Sequence, residues 1–190
     1  MNSQHLNEKK SHLGVDYFEK MRIIKNRKED EVAIMLIQFN FKNFRSFREE
    51  ATLDLSATKM TEFSERVVTI GREKILPVAA IYGANASGKS NIYSAFEYMA
   101  EYVVDSFKYG DEEEKFEEYR PTPFLFDSTS VDAESSFEVY FTIPGDKNEK
   151  TYNYGFCVDQ EGVTEEWLNS KAKTARKYST VFYRGNLTVN

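Results

Sequence analysis

The segment Gly83-Ala84-Asn85-Ala86-Ser87-Gly88-Lys89-Ser90 has the spacing G-x-x-x-x-G-K-S. Residues of these types in this order handle phosphate. Glycines at 83 and 88 allow backbone angles that a side chain would penalise. Small residues at 84, 86 and 87 let main-chain N–H groups close around an anion. A helix starting at the end of the loop would point its partial positive charge at the same place. Lys89 then reaches the β- and γ-phosphates of a nucleotide as a point charge. The Ser90 hydroxyl is of the kind that ligates magnesium. The expected ligands are therefore ATP and Mg2+. Asn91 flanks the working residues and, with Asn85, is expected to shape the loop. No N-K-x-D phrase for reading guanine is present, and about four β segments precede the loop. Both points argue against a GTPase or a small-molecule kinase.

A loop of this kind needs a strand before it and a helix after it. The run Ile75 to Gly83 is almost unbroken apolar, which reads as a strand covered on both faces. After the loop, Ile92, Ala95, Phe96, Met99, Val103 and Phe107 recur at three- and four-residue steps, one face of an amphipathic helix. That helix is expected to end near Gly110, and the acidic run Asp111 to Glu118 reads as a solvated loop. Upstream, Ile37, Phe39 and Phe41 alternate with Gln38, Asn40 and Lys42. A second alternation spans Thr52 to Ser56, so the two form an expected antiparallel pair. A short strand at Val67 to Ile70 and a turn at Gly71 to Lys74 follow. Downstream, Phe137, Val139, Phe141 and Ile143 alternate, Pro144 to Lys150 supplies a turn, and Tyr152 to Val158 returns. Val163 to Leu168 and Thr180 to Tyr183 read as further strands. The expected fold class is α/β, with an antiparallel β portion flanking the phosphate-loop strand and helix.

Composition closes off other chemistry. The chain has 190 residues, 41% hydrophobic and 29% charged, enough for one packed domain. Its 25 basic and 31 acidic side chains leave a net charge of -6, which disfavours nonspecific duplex DNA binding on overall charge, although a local basic patch is compatible with it. The single cysteine, Cys157, excludes an internal disulfide and reads as a buried strand thiol. The only histidines, His5 and His12, lie in a polar leader, which disfavours a histidine-based zinc site or a Ser/His/Asp triad. No apolar run approaches the ~20 residues of a membrane span, and no signal peptide is visible, so the chain reads as cytoplasmic. Residues 1–34 read as a polar extension, with the folded unit opening at Met35 and running over 35–190.

The phrases MLIQFNFKNFRSF, ATLDLSA and VAAIYGANASGKSNIYSAF together resemble the ATPase heads of the ABC superfamily in the SMC, RecF and OLD branch. Those heads open on a strand ending in a phrase like N-F-R-S-F, and their loop often reads G-x-N-x-x-G-K-S. Gly83, Asn85, Gly88, Lys89 and Ser90 match that form, while Ala86 stands where SMC heads usually have glycine. The form GANASGKSN, with the later PFLFD, FEVYF, YNYGF and EEWL, is more similar to AAA-type, ABC-like ATPases linked to bacterial and archaeal phage defence. The resemblance covers roughly residues 35 to 185. It implies that Arg45, in the N-F-R-S-F phrase, sits near the nucleotide phosphates. It also implies that two heads sandwich two ATP molecules, each completing the other's site.

A complete head of that type also has a signature phrase like LSGGQ and a Walker B strand, four apolar residues followed by Asp-Glu. Neither is found. Glu165-Glu166 is the one tempting pair, but the residues before it are turn-like, and it reads as charge at a strand edge. Gln38 falls in a strand and Gln160 in a turn, so neither suits a Q-loop. The expectation is an N-terminal lobe that binds ATP and magnesium, with hydrolysis needing a C-terminal half and dimerisation. The alternative is a non-catalytic nucleotide sensor that regulates a nuclease or toxin partner.

Overall fold

The computed structural model describes residues 34–57, 62, 64–105, 120–146 and 148–185. The expected helix end near Gly110, the acidic run 111–118 and the polar extension as far as residue 33 lie outside the described residues. Ile34 already packs against the core, one residue ahead of the expected opening at Met35.

The elements in chain order are β1 (Met35–Lys42), β2 (Ala51–Asp54), a 3-10 turn (Ser64–Arg66), β3 (Val68–Ile70), β4 (Glu73–Ile75), α1 (Lys89–Asp105), α2 (Ser128–Val131), β5 (Ser135–Thr142), β6 (Thr151–Val158), β7 (Val163–Lys171) and β8 (Ser179–Gly185). Six strands form one antiparallel sheet in the order β2-β1-β5-β6-β7-β8, and β3 pairs with β4 in a separate hairpin. The expected β1–β2 pair is present, with Phe39 opposite Leu53. β1 also pairs with the distant β5, Phe41 opposite Phe137.

The period-two alternation gives the sheet two unlike faces. On one face Phe39, Phe41, Phe137, Val139, Phe156 and Leu168 are buried beneath α1. The helix presents Ala95, Met99, Tyr102 and Val103, all at most 5% exposed and spaced as one helical face. Tyr98 lies 5.0 Å from the Phe137 ring and Tyr102 stacks on Phe156, also at 5.0 Å. Burial pushes the Tyr102 hydroxyl up to about 12. On the other face Asn40 and Asn153 both donate to the Glu138 carboxylate, at 2.9 and 2.8 Å, and Asn169 donates to Asn153. There Trp167 lies across Gly155, where an added Cβ would come within 2.3 Å of the indole. Cys157 is buried on β6, as expected, and burial pushes its thiol up to about 12.

Two expectations are corrected. Ile75 to Gly83 is not a strand covered on both faces: strand β4 ends at Ile75, which is fully buried, Leu76 is half-buried, and 77–83 are exposed. Val78 is 78% and Tyr82 90% exposed. Leu76 N donates to Leu55 O at 2.8 Å, but no backbone hydrogen bond among the described residues ties 77–82 to a neighbouring strand. An apolar run records that burial is favourable, not that a neighbour is at hand to supply it. Glu165 and Glu166 are also not at a sheet edge, because β7 is paired on both sides. Glu166 is tied down instead, accepting from Tyr154 Oη at 2.7 Å and pairing with Arg184 at 3.0 Å.

Candidate functional site

At the end of β1 the chain makes a tight hairpin. Phe44 and Phe47 exchange both backbone hydrogen bonds at 2.9 Å, leaving Arg45 and Ser46 at the tip. Asn43 and Arg45 both have φ 51, a left-handed conformation that costs a non-glycine residue roughly 1 kcal/mol. Asn43 is buried, and its amide repays that strain. It donates to Ser130 O and Ala133 O at 2.8 and 2.9 Å and accepts from Phe124 N at 3.0 Å. The Ser135 hydroxyl donates to Asn43 O at 2.6 Å. The carbonyl of Ser130 is offered by α2, which Asp127 caps. Hydrogen bonds from the Thr129 and Ser130 hydroxyls hold the Asp127 carboxyl below the usual range.

The hairpin tip rests on the phosphate-type loop. Gly88 has φ +87, and a Cβ there would lie 2.9 Å from Ser46 Oγ and 3.3 Å from the Phe47 ring. Asn91, in the first turn of α1, donates to Ser46 Oγ at 2.8 Å. Phe47 in turn packs edge-on against Phe41, 4.9 Å between centroids. The loop is thus referenced to the sheet core through Ser46 and Phe47. At Gly83 a Cβ would lie 2.8 Å from Ser87 Oγ and require that hydroxyl to turn away. Ala86 takes φ 60, a conformation better suited to glycine.

A shallow cavity of about 210 Å³ is lined by Ser46 and by Ala86, Ser87, Gly88, Lys89, Ser90 and Asn91. Lys89 Nζ donates back to Gly83 O at 2.8 Å and to Ala84 O at 2.5 Å, with Ser87 Oγ at 3.5 Å. Gly83 and Ala84 therefore stand behind the lysine, and Asn85 is exposed beside them. Arg45 is not among the lining residues: its guanidinium lies over the Phe44 ring, 5.4 Å from the centroid. Ser46, its neighbour, is the residue that the motif spacing did not single out. Its only sequence signal is membership of the N-F-R-S-F phrase.

The loop geometry fits a phosphate cradle: Gly88 combines a positive φ with close approach of Ser46 and Phe47, and a serine hydroxyl lies close against each of the two fixed glycines. Three hydroxyls line the cavity; those of Ser46 and Ser87 face Asn91 and Lys89, and the Ser90 hydroxyl is the one whose place in the spacing suits a magnesium ion. Among the described residues no group of three or more His, Cys, Asp or Glu side chains could hold a metal. An ion here would take its remaining ligands from phosphate oxygens and water, as magnesium commonly does. No helix among the described residues is long and apolar enough to cross a membrane.

The mixed α/β architecture with this glycine-lysine loop at the head of α1 is that of a P-loop NTPase-like domain. The sequence model of the family described as "AAA domain, putative AbiEii toxin, Type IV TA system" matches residues 78–187, more than half of the chain, and the chain belongs to that family. Membership supports a nucleotide-binding, ATPase-like domain. The match begins inside the exposed apolar segment and includes the loop, whereas the Asn43–Phe47 hairpin lies before it. No curated protein matches the sequence.

Proposed function

We propose that this chain binds ATP through Gly83 to Ser90, with the Ser90 hydroxyl as a magnesium ligand, and that residues 35–190 act as the N-terminal lobe of an ABC-type ATPase head. The observation that carries the reading is the position of Lys89. Its ammonium is held at the loop by carbonyl oxygens, where the phosphates of a nucleotide would compete for its three N–H donors. Gly88 and the α1 N-terminus supply main-chain N–H groups to the same anion. Ser46 and Asn91 fix the loop's height against the hairpin. Arg45, one residue from Ser46, would join the phosphates by leaving the Phe44 ring.

Hydrolysis needs more than this site holds. Among the described residues that line the cavity there is no carboxylate to orient or deprotonate a water. The exposed, apolar 78–82 segment, unpaired among the described residues, supports completion of the fold by strands of a C-terminal half carrying Walker B and signature residues, with two heads pairing around ATP. Such a lobe acts as a clamp on an effector such as a toxin or nuclease. The lack of a carboxylate equally suits a non-catalytic sensor that regulates the same kind of partner.

Titration calorimetry with ATP and magnesium, beside a phosphate-release assay, tests this on the chain and on Lys89→Ala. Losing a charge-assisted hydrogen-bond donor of roughly 1.5–3 kcal/mol weakens ATP binding roughly ten- to hundredfold, and turnover is negligible in both proteins. Unchanged binding by Lys89→Ala would overturn the site. Brisk Lys89-dependent turnover would overturn the need for a second half.

A further inference from the structure

The opposite end of the sheet holds a second cavity. The register of β1 on β5 puts Lys42 beside Ser136 at the hairpin end and Met35 beside Thr142 at the far end. Thr151 pairs with both Thr142 and Lys171, so the β5–β6 and β7–β8 turns share that far end. The β3–β4 turn joins them, since a Cβ on Gly71 would lie 3.1 Å from Glu149 O. Together these turns wall a cavity of about 240 Å³ that includes Arg72, Glu73, Glu149, Lys171, Lys173 and Arg176 in its lining.

The charges there are not balanced. Lys173 pairs with Glu149 at 2.6 Å, and Lys171 lies 3.7 Å from Glu73, which also accepts from the Thr151 hydroxyl. Each lysine thus has its carboxylate. Arg72 and Arg176 have neither an ion pair nor a side-chain hydrogen bond among the described residues, and both are exposed. The described residues of the segments that build this end, 71–75, 143–146, 148–150 and 171–178, carry seven basic and three acidic side chains in a chain whose net charge is -6. A guanidinium fork matches two oxygens of a phosphate, and two such forks at one cavity favour a ligand with repeated phosphates.

We propose that this cavity is a second phosphate site, separate from the glycine-lysine loop, that takes the backbone of single-stranded nucleic acid. Tyr178 argues for a nucleic acid over an acidic membrane or a free polyphosphate. It closes the β7–β8 turn, is 36% exposed, and carries Lys171 Nζ 4.9 Å from its ring centroid. An aromatic ring beside phosphate-binding cations is how sequence-tolerant single-strand sites hold bases. A membrane surface would call for apolar side chains to insert, and the exposed ones Val78, Ile81, Leu125 and Phe126 all belong to other segments.

The test is fluorescence anisotropy of a labelled, mixed-sequence 20-nucleotide DNA strand titrated with the full chain across a salt series. The expected result is salt-sensitive binding that Arg72→Ala/Arg176→Ala weakens at least tenfold, with the log–log salt slope reduced by about one to two units. Lys89→Ala binds the strand like the unaltered chain, and Arg176→Lys, which keeps charge but loses the fork, falls between. Circular dichroism melts establish that the variants fold. No binding at low salt, or equal binding by the double variant, overturns the proposal. So does Arg72-dependent binding of tripolyphosphate or of phosphatidylserine vesicles without binding of the strand.

Discussion

The aromatic layer between the sheet and α1 and the segment 77–88 are close in the chain yet built on opposite terms. In the first, Phe39, Phe137 and Ala95 have no exposed surface, and ring meets ring from Phe44 through Tyr98 to Phe137. In the second, apolar side chains face outward and the backbone of 77–82 pairs with no strand among the described residues. The loop is held at two ends, by the Leu76–Leu55 bond and by the Ser46–Asn91 contact. A site so mounted can change partners without disturbing the core, because little of the core's free energy resides in it.

Phe137→Ala tests the rigid side of this contrast most severely. Removing a fully buried ring that touches Phe44, Tyr98 and Phe156 is expected to cost about 3–5 kcal/mol in urea unfolding. Asn43→Ala addresses the joint between the two regions. It removes the amide's bonds to Ser130 O, Ala133 O and the Phe124 N–H, so about 1–3 kcal/mol is expected in the same assay. ATP affinity is expected to fall with it, because the hairpin carrying Ser46 loses its anchor; unchanged affinity would show that the loop does not depend on that anchor. Val78→Ser should leave unfolding within about 0.5 kcal/mol of the parent, as expected for an exposed position. A loss comparable to that of Asn43→Ala would mean that this segment is packed after all.

The phosphate-type loop was legible because all of its information is local: eight consecutive residues and an adjacent helical period. The strands showed for the same reason, each as its own alternation. What pairs with what was not legible. The β1–β5 pairing joins residues almost a hundred positions apart, and nothing in Phe41 names Phe137 as its neighbour. Ser46 was overlooked because its partner Asn91 is 45 positions away and either residue alone reads as ordinary polar surface. In the run Ile75 to Gly83 the apolar letters are the same whether a neighbouring strand is present or not. The basic cavity was hidden twice, by a negative total charge and by assembly from three separated turns.

The stretch Val78 to Tyr82 has one more consequence. It holds five consecutive residues without charge or proline, bordered by Pro77 and Gly83, and its backbone makes no hydrogen bond to a strand among the described residues. Segments of this composition with free edges are the ones through which chains adhere to one another. Self-association of this chain is therefore expected to involve these residues, beside the exposed Leu125 and Phe126. Whatever covers them also protects the chain from aggregation.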